Sequence, residues 1–180
     1  MTYVFLANGF EEIEAISTID ILRRAGIETT TVSIEPQLAV IGAHNIVVVA
    51  DQLFAEGAYN NAECLLLPGG MPGTSNLNKH EKLKELISQH VHSGKLMGAI
   101  CAAPLILGEL NLLQGKIATC YPSFETYLHG ATISDDKVAD AGEIVTGKGP
   151  GFSMDFALTI VKKLKGACAA DEVAKGLLLQ

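Results

Sequence analysis

A cysteine stands where an apolar strand pattern gives way to a run of small residues. In the stretch KLMGAICAAP, Cys101 follows the predicted strand Leu96 to Ile100 and precedes Ala102 and Ala103. The thiolate is the nucleophilic form of cysteine and the N-terminus of a helix stabilises negative charge, so this position suits nucleophilic catalysis. Small neighbours also permit a sharp turn and the close approach of a reactant. The alternative is an inert buried thiol, since free cysteine is among the most buried residue types.

Two glycines follow another predicted strand. Gly69 and Gly70 come directly after Pro68 in LLLPGGMPG, and an ordinary turn would use the same residues. A glycine amide has no Cβ beside it, so its N–H can point at a negative charge that develops on a substrate. If Cys101 is a nucleophile, these amides and those behind the cysteine are candidate oxyanion-hole donors.

Three carboxylates open the first predicted helix. Glu11, Glu12 and Glu14 occur in NGFEEIE, where the helix dipole favours negative charge, so all three can also be solvated helix-terminal charges. Glu14 lies in a different register from Glu12 and can point across the ends of the strands. We therefore predict that Glu14, by its position, has a functional role. A glutamic acid close to Cys101, together with a helix N-terminus, is expected to hold the pKa of the thiol well below its ordinary value.

The sequence contains no motif typical of a metal, dinucleotide or phosphate-binding site. His90 and His92 are two positions apart, and such a pair on a helix does not face one metal ion. No G-x-G-x-x-G follows the first strand and no G-x-x-x-x-G-K-[ST] loop occurs, so neither a dinucleotide nor a phosphate loop is indicated. The four cysteines are widely spaced, without a C-x-x-C pair. We expect a site with no metal and no cofactor.

The elements that must position these residues alternate between short apolar runs and helical patterns. This alternation is typical of βαβ units and predicts one doubly wound α/β domain over residues 1–180, with ligands bound outside the carboxyl ends of the strands. We also predict a hairpin in KVADAGEIVT and Ser153 as a helix N-cap. The predicted strands are Tyr3 to Ala7, Thr29 to Ile34, Ile46 to Ala50, Cys64 to Leu67, Leu96 to Ile100 and Ile117 to Thr119, and the predicted helices cover 11–25, 79–92, 102–110, 153–165 and 171–178.

Charge and hydropathy limit the partners. A formal net charge of -7 repels phosphate backbones and anionic lipid surfaces, so we expect neither nucleic acid nor a membrane as partner. No apolar stretch reaches membrane-spanning length, and MTYVFLANG lacks the features of a signal peptide. A cytoplasmic protein with free thiols is the expectation.

Several stretches taken together resemble the ThiJ/PfpI superfamily, in its DJ-one branch, that of the parkinsonism-associated deglycase. They are NGFEEIE, DILRRAGI, LLLPGGMPG, AICAAP and KGPGFSMDFAL, and the resemblance runs from Tyr3 almost to the C-terminus. It implies a flavodoxin-like fold of the class I glutamine amidotransferase-like type, with a parallel sheet sandwiched by helices. It also implies a homodimer, which agrees with the apolar residues Ile13, Ile16 and Ile19 on the first helix.

The resemblance also assigns site residues. The family nucleophile falls on Cys101, its protonated glutamate on Glu14, and its oxyanion-hole amides on Gly70 and Ala102. Four further residues are expected in the pocket: Asn8, Gly69, Tyr121 and Pro122. Animal members carry a histidine before the proline where this sequence has Tyr121, and related proteases carry a histidine where it has Ala102.

These assignments imply an enzyme of glyoxalase III or deglycase type, acting on small α-oxoaldehydes or glycated substrates in protection against carbonyl and oxidative stress. Cys101 would attack the aldehyde and Glu14 would move the proton. Peptidase activity is not expected, because Ala102 replaces the proteases' histidine. The alternative is a redox-sensing protective protein or chaperone whose cysteine is oxidised to a sulfinate.

Overall fold

The structure is a computed structural model that describes residues 1–179. Among these residues the strands are β1 (Thr2–Leu6), β2 (Thr29–Ser33), β3 (Ala39–Ile41), β4 (Val47–Val49), β5 (Gln52–Leu53), β6 (Cys64–Leu67), β7 (Leu96–Ile100), β8 (Ile117–Ala118), β9 (Thr132–Ile133), β10 (Val138–Asp140) and β11 (Ile144–Gly147). The helices are α1 (Glu12–Arg24), α2 (Gly73–Lys79), α3 (Glu81–His92), α4 (Pro104–Glu109), α5 (Ser153–Lys165) and α6 (Ala167–Gly176).

Seven of the strands form the central sheet, in the order β10-β11-β7-β6-β1-β2-β5. All neighbours in it are parallel except β10 and β11, which form the predicted antiparallel hairpin. The middle strands β1, β6 and β7 are apolar almost throughout and fully buried, as expected for parallel strands covered on both faces.

Alternate side chains of the strands build two cores. Phe5 and Leu67 point to the face covered by α3 and α4, whereas Val4 and Leu66 point to the face covered by α1, α5 and α6. The prediction of an α/β fold with a mostly parallel sheet between helices is therefore confirmed.

The chain direction across the sheet reverses between β1 and β6. From β1 the chain proceeds outward to β2 and β5, then returns to β6 on the other side of β1 and continues to β7. Loops that leave neighbouring strands on either side of such a point diverge, which leaves a crevice at the carboxyl ends of the strands. The segments after β1, β6 and β7 meet there, and they contain Asn8, Gly69, Gly70 and Cys101.

Two predicted strands lie outside the central sheet. Residues 47–49 of the predicted strand Ile46 to Ala50 pair with β3 in a separate antiparallel hairpin, and residues 117–118 pair with β9. Both strand predictions are confirmed, but the partner strands could not be predicted, because an apolar run alone does not tell which strand it will pair with.

Helix boundaries also differ from the prediction. The helix predicted over 79–92 is divided at His80, whose Nδ1 accepts the Leu83 N–H at 3.1 Å and so caps α3. The N-cap prediction for Ser153 is wrong: Phe152 is the N-cap, and the Ser153 hydroxyl donates to the Pro150 carbonyl at 2.7 Å. Within residues 1–179, the helices are all too short or too polar to span a lipid bilayer.

Candidate active site

Cys101 occupies a sharp turn between β7 and α4. Its φ of +64° lies in the left-handed region, which residues with a Cβ rarely adopt. Backbone hydrogen bonds hold the turn on both sides, because the Cys101 N–H donates to the Gly147 carbonyl and the Cys101 carbonyl accepts the Tyr121 N–H, each at 2.8 Å. A turn of this shape presents its side chain at the end of the sheet, as a nucleophile elbow does.

Two backbone amides face the sulfur. The N–H groups of Gly70 and Ala102 donate hydrogen bonds to the Cys101 side chain. Gly70 has a φ of +90°, and a Cβ at this position would collide with the backbone nitrogen of Glu11, so only glycine fits. Both amides are therefore in place to stabilise negative charge at or next to the sulfur.

Glu14 lies beside the thiol and is completely buried. Its Oε2 accepts the Gly69 N–H at 2.7 Å, and its carboxyl group is the hydrogen-bond partner of Cys101. Burial raises the pKa of Glu14 to about 7, hydrogen bonds from Cys101 and Gly69 oppose this rise, and the charge of Glu11 adds to it. A carboxyl group with this pKa can both donate and accept a proton near neutral pH.

The pKa of the Cys101 thiol is raised, by burial first and then by the charge of Glu14, while the amides of Gly70 and Ala102 act in the opposite direction. This contradicts the low pKa expected from the sequence. The side chain is only 7% exposed, and the short helix α4 begins three residues after the cysteine. Cys101 and Glu14 therefore titrate as a pair, which retains one shared proton after losing the first.

Tyr121 and Pro122 lie beside the elbow. The Tyr121 backbone is bonded to Cys101, and the tyrosine ring lies over Gly149, where an added Cβ would be 3.2 Å from the ring. Pro122 is exposed on the same loop. The tyrosine side chain is 47% exposed, so at the predicted site it is the aromatic group that meets solvent.

Asn8 is engaged in the loop that follows β1. Its backbone N–H donates to Glu35 at 2.8 Å, and its side-chain oxygen accepts the Ile41 N–H at 2.9 Å. The structure thus brings together Cys101, Glu14 and the glycines after β6, whereas the Asn8 side chain ties this loop to the β3–β4 hairpin.

A histidine that the sequence analysis did not single out joins the two other carboxylates of the first helix. His44 Nδ1 lies 2.8 Å from Glu12 Oε2 and 3.7 Å from Glu11 Oε2. In the described part of the chain, these three are the residues whose possible metal-ligating atoms lie within 4.8 Å of one another. Both Glu12 oxygens already accept hydrogen bonds from His44, one from its backbone and one from its ring. Local spacing could not reveal this group, because 32 residues separate Glu12 from His44.

Comparisons with known proteins agree on one family. The model of the DJ-1/PfpI family matches residues 2–163. The chain is 39% identical over 178 residues to protein DJ-1 homolog A of Arabidopsis thaliana, covering 97% of this chain but only 45% of the relative, so it spans less than half of that protein. It is 33% identical to the glutathione-independent glyoxalase DJR-1.2 of Caenorhabditis elegans, covering 94% of this chain and 90% of the relative. The solved structure of oxidized Toxoplasma gondii DJ-1 superimposes with a TM-score of 0.94 at 35% identity, covering 98% of this chain and 97% of that one.

Proposed function

The chain belongs to the DJ-1/PfpI family, and from this premise we propose that it is a cysteine-dependent, cofactor-independent enzyme that converts small α-oxoaldehydes into hydroxy acids. The observation that carries the proposal is the grouping at Cys101, where two amides face the sulfur and a buried carboxyl group with a pKa of about 7 lies beside it. The similarity to a relative that is a glutathione-independent glyoxalase supports the same choice. Glycated substrates present the same reacting carbon after they release the aldehyde.

In the proposed reaction, Cys101 first transfers its proton to Glu14 and then attacks the aldehyde carbon as a thiolate. A carbon–sulfur bond forms, and the electron pair of the carbonyl π bond moves to oxygen. Since the sulfur loses its charge in this step, the amides of Gly70 and Ala102 become free to stabilise the oxyanion. Glu14 then returns the proton to this oxygen, which gives a hemithioacetal.

The second stage moves a proton between the two carbons. Glu14, now a carboxylate, removes the proton from the former aldehyde carbon and delivers it to the neighbouring carbonyl carbon through an enediol, while the hydroxyl proton of the hemithioacetal passes to the neighbouring oxygen. The product is a thioester of a 2-hydroxy acid, which water hydrolyses to release the acid and the thiol. One carbon is oxidised as its neighbour is reduced, so the reaction needs water but no external oxidant.

Access to the sulfur favours small substrates. Cys101 is only 7% exposed, so a two- or three-carbon aldehyde can reach it more readily than an extended peptide. This supports the proposal that the protein is not a protease, as does Ala102 in the place of the proteases' histidine.

The proposal is tested by incubating the purified protein with methylglyoxal and measuring lactate. We expect many turnovers per protein molecule, abolished in Cys101→Ser and retained in Cys168→Ser, because Cys168 is exposed on α6. A stoichiometric adduct without lactate would reject the enzyme.

A second candidate function uses the same pair of residues. The amides and the carboxyl group that face the sulfur can also hydrogen-bond a sulfinate, which forms when a thiolate takes two oxygen atoms from two molecules of hydrogen peroxide and releases two of water. The similarity to an oxidized DJ-1 structure favours this reading. Mass spectrometry after limited peroxide treatment should find the two added oxygens on Cys101 before any appear on Cys168; equal oxidation of both would argue against it.

We propose a cytoplasmic homodimer as the working form. All four cysteines are free, as a reducing compartment would keep them. Ile13 and Ile16 on α1 are 56% and 44% exposed, and the nearby hairpin exposes Val47 and Val49. An apolar surface of this kind on a charged protein is suited to a second copy of the chain.

A further inference from the structure

Two buried polar atoms without a partner lie one helical turn apart on α1. They are Oε1 of Glu14 and the hydroxyl oxygen of Thr18. Glu14 is completely buried and Thr18 is 3% exposed. Buried polar groups nearly always find a hydrogen-bond partner, so two unpaired ones at neighbouring positions of one helix face require an explanation.

The two residues line the same internal void. The rest of its wall is apolar and comes from β1, β6, β7, α1 and α5 and from the residue after β6, namely Val4, Leu66, Leu67, Ile100, Ala15, Phe156 and Pro68. The void has no room for a water molecule, so water cannot bridge the two groups. Among the side chains around this void, the Thr18 hydroxyl is the donor that can satisfy the carboxyl group of Glu14.

The two oxygens of Glu14 have different surroundings. Oε2 accepts the Gly69 N–H at 2.7 Å. It is also the oxygen available to the thiol, because Cys101 is a hydrogen-bond partner of the Glu14 carboxyl group and Oε1 has no partner. A proton on Oε2 is therefore available to the thiol, whereas Oε1 has no hydrogen bond to it.

We propose that Thr18 is a positioning residue, whose hydroxyl donates to Oε1 of Glu14 and thereby keeps the carboxyl proton on Oε2, where Cys101 can exchange it. The geometry requires only side-chain rotation, since residues four apart on a helix have Cβ atoms about 5–6 Å apart. The inference deepens the proposed function, because it concerns the proton that Glu14 moves. Without the Thr18 hydroxyl, the proton of Glu14 lies on Oε1 in a fraction of the molecules. In that fraction the Cys101 thiolate has no proton donor next to it.

The test compares Thr18→Val, which removes the hydroxyl at nearly constant shape, with Thr18→Ser, which retains it. The rate of Cys101 alkylation by iodoacetamide is measured against pH, so the result does not depend on turnover of any aldehyde. Glu11 and Cys101 are the titratable groups that act on Glu14, and they remain unchanged in both variants.

We expect Thr18→Val to move the midpoint of the alkylation profile upward by about one pH unit and to slow labelling at pH 6 about tenfold, because a hydrogen bond to the ionised pair is lost. Thr18→Ser should restore the parent profile. Thr159→Val on α5 is the matched control, since its hydroxyl donates to the Asp155 carbonyl within the helix and Thr159 does not line the void.

Superimposable profiles for Thr18→Val and the parent protein would overturn the proposal, and so would an equal shift in Thr18→Ser. If Thr18→Val does not fold, Thr18→Ala takes its place with the same expected shift. If the protein produces no lactate but Thr18→Val still shifts the alkylation profile, the proposed enzyme activity is rejected and the positioning role of Thr18 remains.

Discussion

The carboxyl proton of Glu14 links reactivity and stability at the scale of single residues. Burial gives Glu14 a pKa of about 7 in the folded chain, against an ordinary value of 4.5. The folded protein therefore binds this proton more tightly than the unfolded chain does. The resulting stabilisation is complete below pH 4.5 and is lost as the pH rises through about 7.

Glu14→Gln should remove this pH dependence. The parent protein is expected to lose about 3 kcal/mol of unfolding free energy between pH 4.5 and neutral pH through this group, at about 1.4 kcal/mol per pKa unit. The variant, which has no proton to bind, should show a flatter profile. Urea unfolding at several pH values measures both, and parallel profiles would show that Glu14 does not hold its proton in the folded state.

Tyr121→Phe and Glu14→Ala separate proton transfer from substrate orientation. If Tyr121 only donates a hydrogen bond, its loss costs about 0.5–1.5 kcal/mol, so kcat/KM on methylglyoxal should fall about tenfold or less. Loss of the acid–base group in Glu14→Ala should lower it by about a hundredfold to ten-thousandfold. Equal losses would assign part of the proton transfer to the tyrosine.

At the scale of elements, the loops after β6 and β7 approach so closely that a methyl group between them is not tolerated. A Cβ on Gly69 would lie 2.6 Å from the Cys101 Cβ and 2.8 Å from the Ile100 carbonyl oxygen. The second contact involves backbone, so it cannot be relieved by rotating a side chain. The spacing of the two loops thus sets the spacing of the reacting groups.

Gly69→Ala should therefore destabilise the fold by about 1–3 kcal/mol and slow alkylation of Cys101. The cost is steric, because the position does not have the positive φ seen at Gly70. Gly151→Ala is the control: its Cβ would meet nothing within 4 Å, so it should change stability by less than about 0.5 kcal/mol. Equal effects of the two substitutions would contradict this account.

The sequence predicts the strands and helices that carry the candidate site more accurately than it predicts which strands pair with each other. The position of Cys101 follows from an apolar run that ends in small residues, and that of Glu14 from its register on α1. The φ of Cys101 depends on bonds to Gly147 and Tyr121, which are distant in sequence, and the raised thiol pKa depends on burial. The helix cap at His80 and the partner strand of β4 were not predicted for the same reason, since both depend on tertiary contacts.

At the scale of the whole molecule, α1 and the β3–β4 hairpin both expose apolar residues. His44 on the hairpin contacts Glu12 on the helix, so the two elements are held together within one chain. A dimer formed through α1 and this hairpin would bury Ile16, which is close in sequence to Glu14 of the candidate site.

We expect the protein to sediment at twice the chain mass of 19.0 kDa at micromolar concentration. Ile16→Arg places a charge on the proposed contact and should yield the monomer. Ile133→Arg is the matched control, because Ile133 is exposed to a similar degree, 45% against 44%, but lies on β9. A parent protein that sediments as a monomer would remove the dimer from the proposal.

The hydrogen bond from the Cys101 amide to the Gly147 carbonyl affects when the turn at Cys101 can form during synthesis. The carbonyl that holds the elbow belongs to β11, so a ribosome must add a further 46 residues after the cysteine, from position 101 to position 147, before that bond can form. Until β11 joins β7, the cysteine belongs to an unfinished chain in which nothing from that strand fixes its turn. The turn at Cys101 is therefore completed late. The reactivity of its thiol during refolding should report the pairing of β11 with β7 rather than the first collapse of the chain.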